Sequence, residues 1–89
     1  MHIFIKTPNP YNKSFIFDIG ENMTFGDIRD MINNKTCYSK VHYYLCTGVV
    51  IINESMNDVT IKEFNEKNPR NIIDKDITLH LRIRRYQSN

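Results

Sequence analysis

Apolar and polar residues alternate from the first residues of the chain. Ile3 and Ile5 fall on one side of Met-His-Ile-Phe-Ile-Lys-Thr (1–7), with His2, Phe4 and Lys6 on the other. That period of two predicts a half-buried β-strand. A second run has Phe15, Phe17 and Ile19 against Ser14, Ile16 and Asp18. Between them lies Thr-Pro-Asn-Pro-Tyr-Asn (7–12), dense in turn residues, whose two prolines remove two ladder donors. The two strands are therefore expected to form a hairpin. Phe15, Phe17 and Ile19 would then face the same core as Ile3 and Ile5. Phe4 and Ile16 fall on the outer side.

The period changes at Thr24. Phe25, Ile28, Met31 and Ile32 recur at helical spacing, and Asp27 stands where it can cap Thr24 reciprocally. Val41 to Thr47 reads as a third strand, Gly48 as a turn, and Val49 to Ile52 as a short fourth strand. Thr60-Ile-Lys-Glu-Phe64 repeats the Thr-x-x-Glu cap, but the run predicts no more than one helical turn. Leu79, Leu81 and Ile83 alternate with His80, Arg82 and Arg84 in a last strand over 77–84. Strands with one amphipathic helix laid on their apolar face make a two-layer α+β domain. Its core is expected to include Ile5, Phe15, Phe17, Ile28, Ile32, Leu79 and Leu81.

With 89 residues, the chain has room for one core. Eleven asparagines and thirteen isoleucines, with no alanine or tryptophan, look like the bias of an AT-rich genome, so no single asparagine acquires meaning from frequency. A formal charge of +2 does not by itself imply nucleic acid. No apolar run reaches the length of a membrane span, and the first residues lack the composition of a signal or transit peptide. Cys37 and Cys46 are too few for a disulfide framework and are read as reduced thiols. The expected compartment is intracellular, cytoplasmic or nuclear, with an organelle reached without a cleavable presequence as the alternative.

Both ends of the chain carry a resemblance. The opening Met-His-Ile-Phe-Ile-Lys-Thr resembles the start of the ubiquitin family, and Thr78-Leu-His-Leu81 followed by Arg84 resembles the start of its tail. Thr60-Ile-Lys-Glu-Phe-Asn65 resembles the segment before the family's last strand. The middle matches by pattern, with extra residues in the first hairpin loop and around Glu66 to Asn71. The resemblance implies a divergent ubiquitin-like β-grasp domain over residues 1–86, with one main helix, a short helical turn, and a polar tail at 87–89. Conjugated members of the family react through a C-terminal glycine, whose bare backbone threads narrow enzyme channels. Gln87 and Ser88 stand at the positions of that glycine pair, and Gly20, Gly26 and Gly48 all lie inside the fold. Conjugation by the family's chemistry is therefore not expected.

What remains is recognition through a sheet face. The resemblance implies an outer-face patch in which Leu45 takes the central position and His80 its neighbour. Arg82 replaces an aliphatic residue, and Pro8 or its neighbours replace a loop leucine. An arginine in an apolar socket must be desolvated, so receptors for the unmodified patch should bind poorly. Val49 and Val50 cannot both face inward. Leu45 with Val49 or Val50, and with Tyr43 and the arginines Arg82 and Arg84 at the rim, would make an apolar centre with a polar border, an anatomy common to interfaces. If the hairpin keeps the family's register, Phe15 opposes Ile5, Phe17 opposes Ile3 and Ile19 opposes Met1 toward the core. Phe4 then opposes Ile16 on the outer side, an apolar cross-strand pair that adds a second contact.

Other chemistry is weaker. Cys37-x4-His42-x3-Cys46, with His80 elsewhere, matches no common zinc spacing, so neither metal nor cofactor is expected. A Cys/His nucleophile pair would need an oriented base and an oxyanion site, and nothing supplies either. The expectation is thus a non-enzymatic protein-binding module, an adaptor or constitutive subunit of a larger assembly. A divergent modifier or viral-type ubiquitin variant is the second reading. A nucleic-acid module is the third, resting on Arg82, Arg84 and Arg85 with Tyr43, Tyr44 and Tyr86.

Overall fold

A computed structural model describes residues 1–8, 13–36, 38 and 42–84. The hairpin loop beyond Pro8, Cys37, Val41, and the tail from Arg85 through Tyr86, Gln87 and Ser88 lie outside the described residues. The elements run β1 (His2–Lys6), β2 (Ser14–Asp18), α1 (Phe25–Lys35), β3 (Tyr43–Cys46), β4 (Ile51–Ile52), a 3-10 turn (Glu54–Met56), α2 (Ile61–Lys67) and β5 (Thr78–Ile83). The sheet order is β2-β1-β5-β3-β4. β1 and β5 pair in parallel at the centre, and the other neighbours are antiparallel. This is an α+β arrangement compatible with a β-grasp. No helix among the described residues is long and apolar enough to cross a membrane.

The first hairpin has the expected register: Ile5 opposes Phe15, Ile3 opposes Phe17, and Phe4 opposes Ile16. The Ile19 amide donates to the Met1 carbonyl at 2.8 Å, extending the ladder by one pair. α1 begins at the predicted cap. Thr24 Oγ1 accepts from the Asp27 amide at 3.1 Å, and Asp27 Oδ2 accepts from the Thr24 amide at 3.0 Å. Two orphan donors of the first turn are thereby satisfied. Ile28 and Ile32 then project into a core shared with Ile5, Phe17, Leu79 and Leu81, and Phe15 packs against its edge half-buried.

Two elements differ from expectation. The run after Thr60 makes a seven-residue helix rather than one turn. Its capping box holds the first turn, Ile61 and Phe64 are buried, and Phe64 meets Phe25 edge to face at 5.4 Å. Backbone bonds also join the two helix starts, from the Phe25 amide to the Val59 carbonyl (3.0 Å) and from the Ile61 amide to the Met23 carbonyl (2.9 Å). The 3-10 turn at Glu54–Met56 had no periodic signal. It is nucleated by Asn53, whose side chain accepts from the Ser55 amide at 3.1 Å.

Gly48 sits in the β3–β4 turn with φ of +82°, where side chains are strained. A Cβ there would meet nothing within 4 Å, so Gly48→Ala should cost only the left-handed backbone term, about 1–2 kcal/mol. A urea titration of the two proteins measures it.

Candidate functional site: the outer face of the sheet

α1 covers one face of the sheet, and the other carries the second half of each alternation. The strand registers place these residues in cross-strand rows. One row is Ile16, Phe4 and Thr78. The next is Ser14, Lys6, His80, Cys46 and Ile51. Beyond it Arg82 lies opposite Tyr44. Lys6 and Arg82 are exposed and His80 is half-buried, so a basic line crosses the middle of the face. Ile16 (62% exposed) and half-buried Phe4 flank it on the β2 side, and Ile51 (56%) on the β4 side. Asp18 is the one acidic side chain among these outer strand positions, and it is paired with the Met1 amine at 3.2 Å.

Two expected contact residues are not on this face. Leu45 is fully buried and Tyr43 is 1% exposed; both belong to the core cluster. The cause is the phase of β3. Leu45 opposes Leu81 and Tyr43 opposes Ile83, so both project with the helix-facing residues of β5. Cys46, not Leu45, lies opposite His80 and takes the central outer position. Tyr43 is clamped there: its hydroxyl donates to Asn33 Oδ1 at 2.8 Å, and the Arg29 guanidinium lies 4.2 Å from its ring centre. Arg29 Nη1 also donates to the Tyr43 carbonyl at 3.1 Å. Burial pushes the Tyr43 phenol above its ordinary range, against the opposing charge of Arg29.

The remaining residues divide. Val49 is 79% exposed at the tip of the β3–β4 turn, while Val50 is half-buried against the core, as their adjacency requires. Arg82 has no ion-pair partner among the described residues. Arg84 is partly engaged within the chain, with its Nε 3.6 Å from Glu54 Oε1 and its guanidinium 5.0 Å from the centre of the Tyr44 ring. Glu54 also faces Arg29 Nη2 at 3.8 Å, tying the end of β5 to α1.

Sequence reasoning did not assign Lys6, Cys46 or Ile51 to the site, and it named Tyr44 only for the nucleic-acid reading. The alternation of β1 already marked Lys6. The facing of Tyr44 and Cys46 had no signal, because all four residues of β3 are apolar or aromatic. Among the described residues, no group of His, Cys, Asp and Glu side chains could hold a metal ion.

Glu54 gives this region a pH dependence. Its carboxyl lies below the ordinary value, held down first by a hydrogen bond from its own backbone and then by Arg84, Arg29 and His42; partial desolvation opposes them. A carboxyl depressed in the folded state adds stability that is fully present above its unfolded pKa. That stability is lost as pH falls through the folded value. Wild type should therefore exceed Glu54→Gln in urea midpoint at pH 7, with the gap closing below about pH 4. The gap should be small, since the carboxylate is partly exposed and screened.

No protein-family model matches this chain, and no curated protein matches it significantly.

Proposed function

We propose that this chain is a ubiquitin-like domain that is not conjugated and serves as a protein-binding adaptor or constitutive subunit of an intracellular assembly, engaging its partner through the outer face of the sheet. The observation that carries the reading is the composition of that face. Exposed Ile51 and Ile16, with Phe4, lie either side of the basic line formed by Lys6, His80 and Arg82. Arginine is enriched at protein interfaces, and the apolar residues on either side of this line supply contact area. The sheet order is compatible with a β-grasp, and the two ends of the sequence resemble the ubiquitin family. Gln87 and Ser88 stand where that family carries its reactive glycines, which supports binding over conjugation.

Protein is favoured over nucleic acid by the aliphatic character of the most exposed flank residues, Ile16 and Ile51. Bases stack on aromatic rings, whereas Ile16 and Ile51 offer none, the flanking Phe4 is half-buried, and the Tyr44 ring has the Arg84 guanidinium over it. Capture of the native partner from extract, compared between wild type and Ile51→Asp, tests the reading.

A further inference from the structure

β2 is an edge strand, and the phase of its hydrogen bonds decides what that edge offers. Met1 pairs with Ile19 through bonds in both directions, and the Thr7 amide donates to the Lys13 carbonyl. In an antiparallel ladder such bonded pairs recur at every second residue. Phe17 and Phe15 therefore bond to β1, and the N–H and C=O groups of Ser14, Ile16 and Asp18 point out from the sheet. No described residue meets them.

Natural edge strands are usually defended by proline, bulges or charges within the strand. The β2 sequence Ser-Phe-Ile-Phe-Asp has no proline or lysine, and its central side chain, Ile16, is 62% exposed. We propose that this edge pairs antiparallel with β2 of a second copy of the chain, about a two-fold axis at Ile16.

The strand is self-complementary in that register. Ile16 meets Ile16 of the second copy, and the three outward donors on each side meet three acceptors on the other. Ser14 opposes Asp18 on the outer face, where a hydroxyl can donate to a carboxylate, and no like charges are opposed. The Ile16–Phe4 pair of each copy then joins its counterpart, giving an apolar strip across the middle of a continuous ten-stranded sheet. An unrelated strand could use the same backbone groups. The symmetric apolar centre and the Ser14–Asp18 match are properties of a second copy. This inference goes beyond the proposed partner binding and does not depend on it.

Sedimentation of the full chain from about 10 μM to about 1 mM, a range typical of weak interfaces, should show a monomer–dimer equilibrium. In Ile16→Lys the two ammonium groups lie opposite one another, and association should weaken at least about tenfold. Ile16→Glu should weaken it likewise, and a mixture of the two variants should restore a heterodimer. The exposed position leaves the fold of both variants intact, which circular dichroism verifies. Amides of Ser14, Ile16 and Asp18 should exchange more slowly in the concentrated wild type. A monomer at every concentration overturns the proposal. So does a dimer that both variants retain, or β2 amides protected only when a different protein is captured.

Discussion

Leu45→Asp should yield a chain without a cooperative thermal transition, because residue 45 lies wholly inside the core. Truncating a buried leucine costs about 2–5 kcal/mol. Placing a polar group there without a partner adds about 2–7 kcal/mol even if the carboxyl takes up a proton. Together these consume most or all of the roughly 5–15 kcal/mol that stabilises a small domain. Leu45 is fully buried and opposite Leu81, with Ile52 on its other side, so nothing nearby can solvate a carboxylate. Such a variant would lose any binding partner through unfolding rather than through a lost contact. Arg82→Asp, one row away on the outer face, should shift stability by no more than about 0.5 kcal/mol. Circular dichroism melts of the two variants check the phase of β3 directly. A well-folded Leu45→Asp protein would mean that β3 is turned by one residue.

Ile51→Asp should keep the fold and lower affinity for the native partner at least about thirtyfold, the scale of an interface hot spot. Its side chain is 56% exposed at the end of the row that runs through Cys46, His80 and Lys6. A carboxylate there would have to be desolvated on binding, and it would remove the apolar contact on the β4 side. Arg82→Ala should act less strongly, and mainly at low salt, because an exposed charge governs encounter more than residence. Nucleic acid would reverse that ranking, since phosphate contacts release counterions and weaken steeply as salt rises. Binding titrations of wild type and both variants at two salt concentrations separate the outcomes.

The first hairpin was legible because Ile3, Ile5, Phe15 and Phe17 alternate with mostly polar neighbours, which fixes the face of each side chain, while the register came from the family resemblance. The start of α1 was legible for a chemical reason, the reciprocal Thr24–Asp27 cap. The phase of β3 was not. Tyr43, Tyr44, Leu45 and Cys46 carry no polar alternation, and their facing is decided by β5 and by the grip of Arg29 and Asn33 on Tyr43. The second turn of α2 was missed because residues after Phe64 are polar. It is held by contacts distant in sequence, such as Asn65 bonding both backbone groups of Ile73 at 2.7 and 3.0 Å. For the site, His80, Arg82, Phe4 and Ile16 could be placed on the outer face from alternation alone. Cys46 and Ile51 became visible once β3 and β4 had their register.

Backbone amide shifts of the labelled domain, followed during titration with its captured native partner, test the outer-face assignment most directly. The largest changes should cluster at Phe4, Lys6, His80, Arg82 and Ile51, with Ile28 and Ile32 of α1 little affected. Changes concentrated on the exposed side of α1 or in the loop at 69–76, with the outer strand positions still, would contradict it.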